Sequence, residues 1–236
     1  MTRDSVYFDF NEINVTSSCL GWSHTFRKGE ITGLVGGKTY ISSFTSQIVN
    51  PSNALKVDLF LIDGERKKID ANSLSPEIWL RSVSCITSEC TMIEGTILEN
   101  ILLFPMVFEA VAMEYMHENS PYMQKLSRYG ILQALELVEP SGLLSEVRRC
   151  GIGELGSSQL PLKMVLILLG RCIIHDVTLI IIDEDRLDLS ESIDRKIYSS
   201  LLERLLNHKI IIVFGDKSIE DRSRNYSWHV VNLGAQ

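Results

Sequence analysis

A run of four apolar residues, Leu179 to Ile182, ends in the acidic pair Asp183-Glu184. A strand without alternating polar residues is typical of a parallel sheet that is covered on both faces, because neither face meets water. Apolar runs at Ile31 to Val35 and Ile210 to Phe214 predict further buried strands. Because helical patterns alternate with these strands, the sequence predicts a wound α/β sheet.

The remaining apolar pattern divides the chain into two strand-rich parts separated by a helical part. The helical period extends from about Leu98 to Arg149. We therefore predict one domain, with residues 1–97 and 150–236 as an α/β core lobe and residues 98–149 as a helical lobe. The other predicted strands are Val6 to Phe10, Leu20 to Phe26, Val57 to Ile62, Ser82 to Thr87 and Trp228 to Leu233. Helices are predicted at Ser42 to Val49 and at Pro161 to Ile174, and a further helix is predicted from the four-residue repeat of Ile193, Ile197, Leu201 and Leu205. A tight turn is predicted at Arg27 to Glu30.

The composition excludes several classes of function. The chain has 236 residues and a net charge of −7, and this acidic balance argues against a general nucleic-acid binder. Its five cysteines form no CxxC pair, which predicts free thiols in a reducing compartment, and the histidines do not cluster with them as zinc ligands would. The most apolar segment, Met164 to Ile182, is interrupted by Arg171, His175 and Asp176, so it is not predicted to span a membrane.

Two glycines, Gly36 and Gly37, directly follow the predicted strand Ile31 to Val35, and Lys38-Thr39 comes next. A phosphate-binding loop has a glycine, four free positions and then Gly-Lys-Ser/Thr. Gly37-Lys38-Thr39 would need a glycine at position 32, where this chain has Thr32. An altered nucleotide site and an ordinary strand-to-helix turn therefore both stay open. The same spacing disfavours an unrelated P-loop enzyme that uses Gly37-Lys38-Thr39.

The acidic pair Asp183-Glu184 suits one kind of chemistry. An aspartate at the end of a buried strand can hold Mg²⁺, usually through water, and a neighbouring glutamate can polarise an attacking water. Many parallel strands end in acids, so the pair is also compatible with a purely structural role at the strand end.

Several motifs and their order along the chain resemble the nucleotide-binding domain of an ABC transporter, in particular of the exporter and type I secretion group. The resemblance covers Val6 to Leu233. Its most specific part is Met92 to Ile101, which is very similar to the pattern that follows the Q-loop in exporters. The other matching segments are Val6 to Phe10, Gly29 to Gly36, Leu80-Arg81, Glu154-Leu155-Gly156, Gly170-Arg171 twelve residues before Asp183, and Leu179 to Glu184.

The resemblance implies a P-loop NTPase-like ABC ATPase fold: a mainly parallel wound sheet, an antiparallel β part and an inserted helical lobe. ATP and Mg²⁺ are the implied cofactors. Asp183 and Ser88 fall on the metal-binding positions, and Glu184 falls on the catalytic base, here expected to be vestigial. Phe10 falls on the adenine-stacking aromatic, although a core position is an open alternative for it. The nucleotide-binding positions carried over are Phe10, Gly33, Gly36, Gly37, Lys38, Thr39, Ser42 and Ser43.

The phosphate loop of this chain departs from the family pattern. Without gaps, Gly36 starts the loop, Ser42 takes the place of the lysine, and Thr39 and Ile41 replace loop glycines. The loop binds phosphates with backbone N–H groups at close range, and the lysine supplies charge for the β and γ phosphates. Lys38 can substitute for that lysine only if the loop is several residues shorter.

Other motifs are altered as well. Ser88 stands at the Q-loop glutamine, and Gly215 stands where the switch histidine should follow a strand. The signature slot reads Gln159, Leu160, Pro161, Leu162 and Lys163. Its serine and glycine normally meet the partner's γ-phosphate, whereas Leu160 has no hydroxyl and Pro161 has no N–H.

These departures predict a degenerate ATP-binding-cassette domain that is non-catalytic or binds nucleotide weakly. The predicted partners are a transmembrane domain of an exporter, on the same or a separate chain, and a second nucleotide-binding domain in a homo- or heterodimer; the predicted location is the cytoplasmic face of a membrane. The family pattern puts the transmembrane contact near Ser88 to Glu94, with Met106, Tyr115 and Met116 as surface or core residues of the helical lobe. The alternative is an active ATPase motor that uses Asp183, Glu184 and a shortened phosphate loop.

Overall fold

The structure is a computed structural model. It describes residues 10–17, 22–49, 55–63, 65–87, 90, 100, 160–174, 177–184, 187, 198–199, 201–203, 205, 209–215, 219 and 228–233. The chain divides into two compact units: unit 1 comprises Met1–Thr87, Val177–Asp188 and Ser199–Gln236, and unit 2 comprises Ser88–Asp176 and Leu189–Tyr198. The predicted helical lobe, residues 98–149, lies outside the described residues except for Asn100, so its bounds stay a prediction.

The described strands all belong to unit 1. They are β1 (Glu12–Ser17), β2 (Trp22–Arg27), β3 (Ile31–Val35), β4 (Leu55–Asp63), β5 (Glu65–Asp70), β6 (Val83–Ile86), β7 (Leu179–Asp183), β8 (Ile210–Gly215) and β9 (His229–Asn232). The helices with described bounds are α1 (Lys38–Val49) and α2 (Pro76–Ser82) in unit 1 and α3 (Leu160–Ile174) in unit 2, and a 3₁₀ turn occupies Ala71–Ser73.

The described strands of the first sheet are antiparallel, in the order β2-β1-β4-β5. Ile13 faces Phe26 across β1 and β2, and Val15 faces Val57 across β1 and β4. All four side chains are buried, while the alternate residues of β1 are only partly buried, as the two-residue period of a strand requires. Gly29 has φ 86°, and the Glu30 N–H donates to the Arg27 carbonyl at 3.2 Å, so the predicted turn is confirmed.

The second sheet is parallel, in the order β6-β7-β8-β3-β9. Every residue of β7 and β8 is buried. This confirms the interpretation of the apolar runs at 179–182 and 210–214 as strands covered on both faces.

The core of unit 1 joins one face of the parallel sheet to α1 and to the buried face of the antiparallel sheet. Aromatic rings connect these layers. Phe44 of α1 packs edge-on against Phe214 of β8 and Trp22 of β2, with ring centroids 5.4 Å apart in both pairs, and it also meets Phe26 at 6.3 Å. Each such pair is worth roughly 0.5–1.5 kcal/mol beyond the area that it buries. These contacts hold α1 between β8 of the parallel sheet and β2 of the antiparallel sheet.

In unit 2, helix α3 is apolar through its middle, and Val165 to Leu169 are all buried. Arg171, in its last turn, donates from Nε to the Asn100 carbonyl and from a terminal guanidinium nitrogen to Asn100 Oδ1 at 3.2 Å. Asn100 is fully buried, and these two hydrogen bonds satisfy its backbone and side-chain carbonyl groups.

The elements of unit 1 differ from the prediction in three places. The first described strand is β1, at residues 12–17; Phe10 precedes it, and residues 6–9 lie outside the described part. Helix α1 begins at Lys38 and not at Ser42, so the predicted helix start is wrong by four residues. Strand β5 and helix α2 were not predicted, since β5 is a charged strand at the sheet edge and α2 is only seven residues long.

Candidate functional site at the carboxyl ends of the parallel strands

The connection between β3 and α1 is the first part of the candidate site. Strand β3 ends at Val35 and α1 begins at Lys38, so Gly36 and Gly37 alone join them. Residues 38–43, which the family pattern would place in and just after the phosphate loop, all lie in the helix. A loop that surrounds a phosphate needs four free positions between its glycine and Gly-Lys. The described geometry is that of a tight strand-to-helix turn, and Lys38, Thr39, Ser42 and Ser43 as nucleotide-binding residues stay a prediction.

Gly36 has a packing neighbour within the protein. A Cβ on Gly36 would lie 3.0 Å from Leu233 Cβ, which is closer than ordinary van der Waals contact. The Leu233 N–H also donates to the Val35 carbonyl at 2.8 Å, which holds the end of β9 against the end of β3. The absence of a side chain at position 36 therefore admits Leu233.

The acidic pair lies at the same edge of the sheet. Asp183 is the last residue of β7 and is 7% exposed, and Glu184 follows it and is partly exposed. In the ladder, Asp183 lies beside Phe214 of β8, and Gly215 lies beside Val35 of β3. With strands about 4.8 Å apart, the ends of β7 and β3 are separated by about 10 Å. The fold thus brings Asp183, Glu184, Gly215 and the Gly36-Gly37 turn to one edge, as the order of the motifs predicts.

Gly215, at the switch-histidine position, is enclosed on two sides. A Cβ there would lie 2.9 Å from Ile219 Cδ1 and 3.5 Å from Glu184 Cβ. A Cβ on Gly33 would lie 2.3 Å from Ile219 Cγ2. Ile219 is fully buried, so the two glycines together accommodate one isoleucine.

Phe10 is fully buried in the core of unit 1. Its ring stacks on Trp79 with centroids 6.1 Å apart and planes at 20°, and the Trp79 indole N–H donates to the Ile48 carbonyl at 2.8 Å. This packing favours the core alternative for Phe10, and the adenine-stacking role stays a prediction.

The remaining predicted positions are only partly described. Ser88 and Gln159 lie outside the described residues, as do Met106, Tyr115 and Met116. Leu160, Pro161, Leu162 and Lys163 form the first turn of α3, where a proline is well tolerated because its missing N–H would have no helical partner. Among the described residues, Leu80 of α2 is the exposed large hydrophobic side chain, at 51%.

Two ionisable side chains in the described part have shifted pKa values. Burial lowers the pKa of Arg171, and the nearby Cys90 and Cys172 thiols oppose that effect. Burial also lowers the pKa of His24, and the positive charges of His229 and Arg27 add to this while Glu30 opposes it. Cys85 and Cys90 are half-buried and Cys172 is buried, and no disulfide joins these three described cysteines.

In the described ranges, no group of three or more histidine, cysteine, aspartate or glutamate residues is placed to hold a metal ion. Nor does any helix in the described part have both the length and the apolar character needed to cross a membrane.

Ile219 and Leu233 are residues at this edge that the sequence reasoning did not identify. The sequence did hold one signal, because a lone glycine inside a strand, here Gly33, often marks the close approach of another group. The identity of that group was not readable, since Ile219 is remote along the chain.

No protein-family model and no curated protein matches the sequence. Among solved structures, the chain is similar to a bacterial Atm1-family ABC exporter with ATP bound, at 10% sequence identity and a TM-score of 0.57. The match covers 89% of this chain and 35% of the exporter chain, so this chain spans about a third of the exporter's length. At this identity the likeness concerns the fold alone. It supports an ABC-related fold for this mixed α/β arrangement of a parallel and an antiparallel sheet.

Proposed function

We propose that this chain is a degenerate ATP-binding-cassette domain of an exporter-type ABC transporter, and that it acts as a non-catalytic or weakly nucleotide-binding module. The observation that carries the proposal is the connection between β3 and α1, where only Gly36 and Gly37 separate the strand from the helix. A phosphate-binding loop works because its backbone N–H groups surround the phosphates. In a two-residue turn most of those groups belong to the helix instead.

The space beside this turn also supports the proposal. Leu233 fills the position next to Gly36, and Ile219 fills the position next to Gly215. Apolar side chains cannot replace the charge-stabilising contacts that a transferring phosphoryl group needs. Glu184 as a general base would then have no in-line phosphate to act on, because positioning precedes proton transfer.

The start of α3 adds a further argument for the signature slot. Pro161 stands in the first turn of this helix, where an ordinary residue would offer an N–H group to an anion. We propose that the slot Gln159 to Lys163 contributes little to a composite site with a second nucleotide-binding domain.

The proposed partner is the transmembrane domain of an exporter at the cytoplasmic face of a membrane, and a second nucleotide-binding domain is a further partner. The similar solved chain is that of an ABC exporter, which agrees with this assignment. Leu80 and Arg81 are exposed at the end of α2, shortly before the Ser88 to Glu94 segment that we propose for the contact.

An active ATPase motor is the second candidate, and one observation favours it. Because α1 begins at Lys38, the sequence Gly37-Lys38-Thr39 lies at the start of a helix that follows a parallel strand. Helix starts attract anions, since their first N–H groups have no partner within the helix. As an active ATPase motor, the chain would use Lys38 in a shortened phosphate loop, Asp183 as the Mg²⁺ ligand and Glu184 as the general base.

Titration of the chain with a fluorescent ATP analogue in the presence of Mg²⁺ tests the proposal. We expect no saturable binding in the micromolar range and ATP hydrolysis equal to that of a protein-free blank. Lys38→Ala and Glu184→Gln should leave both readings unchanged, because neither residue has a held phosphate to act on.

The active-motor candidate makes the opposite prediction. It requires turnover that falls by orders of magnitude in Glu184→Gln, with binding retained, and binding that is lost in Lys38→Ala. Glu203→Gln, which alters an exposed glutamate of unit 1, is the matched control and should not change either reading. Turnover that depends on Glu184 would overturn the non-catalytic proposal.

A further inference from the structure

Ile219 lies against two neighbouring strands of the parallel sheet at once. In the β3–β8 ladder, Gly33 lies beside Val213, and Val35 lies beside Gly215. Residues two apart on a strand share a face, and so do partners in a parallel ladder. Gly33 and Gly215 are therefore on the same face, and Ile219 covers the hollow that their missing side chains leave.

The contacts assign different atoms of Ile219 to the two glycines. Cγ2 is the atom nearest to Gly33, at 2.3 Å from the position of a Cβ, whereas Cδ1 and Cγ1 lie 2.9 and 3.2 Å from a Cβ on Gly215. Isoleucine is branched at Cβ and therefore stiff at χ1, so Cγ2 can turn away only if the side chain leaves its preferred rotamer or the main chain shifts. The fit at Gly33 is thus more rigid than the fit at Gly215.

Glu184, the residue that follows β7, borders the space beside Gly215. Glu184 Cβ lies 3.5 Å from the position of a Cβ on Gly215. The space beside Gly215 is therefore enclosed by Ile219 on one side and by the residue that follows β7 on the other. In a working phosphoryl-transfer site, a nucleotide and its metal ion connect elements of this kind.

We propose that Ile219 is an apolar link that holds the carboxyl ends of β3 and β8 in one arrangement without any nucleotide. The link deepens the proposed function and rests on it, since it takes the place of charged contacts to a phosphate. It also narrows the space for a phosphate-sensing side chain at position 215, because Ile219 Cδ1 lies 2.9 Å from the position of a Cβ there.

The first test is amide hydrogen exchange on the full chain without nucleotide. Ile219→Ala should speed exchange on the order of tenfold at the carboxyl ends of β3 and β8, because local opening sets exchange there. Ile13→Ala is the matched control: it removes the same atoms from a fully buried isoleucine of unit 1, in the antiparallel sheet. At equal overall stability it should leave those two strand ends at the wild-type rate. Equal exchange at these ends in wild type and Ile219→Ala would overturn the proposal.

The second test uses double substitutions and the chemical denaturation midpoint. Ile219→Val removes Cδ1 and keeps Cγ2. It should therefore reduce the lowering of the denaturation midpoint that Gly215→Ala causes, but not the lowering that Gly33→Ala causes. Ile219→Ala removes both atoms and should relieve both losses. Strictly additive effects would contradict the link. Should Ile219→Ala fail to fold, the valine series still decides the question.

Neither test includes a nucleotide, so the two proposals fail separately. Saturable Mg-ATP binding together with these coupled substitutions would overturn only the non-catalytic function. Absent binding together with additive substitutions would overturn only the link.

Discussion

At the scale of single residues, Gly33, Gly36 and Gly215 each fit two explanations in the sequence. A glycine beside a predicted phosphate site suggests close approach of a ligand, and a glycine in a packed sheet suggests close approach of a side chain. The structure supplies a side chain in all three cases: Ile219 for Gly33 and Gly215, and Leu233 for Gly36. The sequence did not identify these neighbours: those of Gly33 and Gly36 come from the far end of the chain, and Ile219, although close to Gly215 in sequence, carries no signal of this contact.

His24 gives a prediction at the same scale. Its half-buried ring packs against Trp22 at 6.0 Å and Phe26 at 4.8 Å, and its pKa is lowered from 6.5, mainly by burial and then by His229 and Arg27, with Glu30 opposing. The unfolded chain therefore binds a proton more readily than the folded chain. The stabilisation by neutral His24 is fully present above pH 6.5 and is lost as the pH falls through 6.5 toward the lower folded pKa.

Urea denaturation across this pH window measures the effect. We expect the free energy of unfolding to fall with decreasing pH by less than about 1.4 kcal/mol per pH unit, the limit for a single proton. His24→Gln should reduce this slope most, and His229→Gln should reduce it in part, because it removes one nearby positive charge. A slope that His24→Gln leaves unchanged would assign the effect to other groups.

At the scale of elements, the fully buried strands were predicted well from the sequence, and the exposed edge strand was not. The strands at β3, β7 and β8 were predicted within one residue, since full burial on both faces leaves an uninterrupted apolar run. Strand β5, with the sequence ERKKID, has no such run and is held by its ladder to β4 and by the 2.8 Å ion pair between Lys68 and Asp58. Helix α2 did carry a local signal, a serine followed by a proline: the Ser75 hydroxyl accepts from the Ile78 N–H at 3.3 Å.

The contact between α3 and Asn100 gives a prediction for an element of unit 2. Arg171 makes two hydrogen bonds to Asn100, and a lysine cannot reproduce that forked geometry. We expect Arg171→Lys to destabilise the chain by about 1.5–3 kcal/mol, because the ammonium group of lysine cannot replace both hydrogen bonds to the fully buried Asn100. Arg81→Lys, at an exposed arginine in the last turn of α2, is the matched control and should stay within about 0.5 kcal/mol of wild type.

Equilibrium denaturation of both variants measures this difference. Equally small changes in the free energy of unfolding for Arg171→Lys and Arg81→Lys would mean that the hydrogen bonds to Asn100 add little to stability. A large loss in both variants would point to a general requirement for arginine.

At the scale of the whole molecule, the order of motifs was more informative than any one motif. The sequence predicted a wound α/β sheet with an antiparallel part, and the described residues confirm both sheets. It could not settle the phosphate turn, because the same letters, Gly36-Gly37-Lys38-Thr39, suit a loop or a helix start. In the structure Lys38 is the first residue of α1, and Phe44 of the same helix packs against β8 and β2. Tertiary contacts of this kind override local preference.

The complete burial of the neighbouring strands β7 and β8 has a consequence for the handling of the protein. Once unfolded, the segments LIII and IIIVF become short, uncharged stretches of high β-propensity without proline, which is the composition of aggregation-prone sequences. They pair in the native state across a long intervening segment, so refolding has to re-form this contact late while both stretches stay exposed. We therefore expect heat denaturation to be irreversible, with an apparent midpoint that rises with the scan rate. Calorimetric rescans and turbidity readings measure this, and a full second transition after cooling would contradict it.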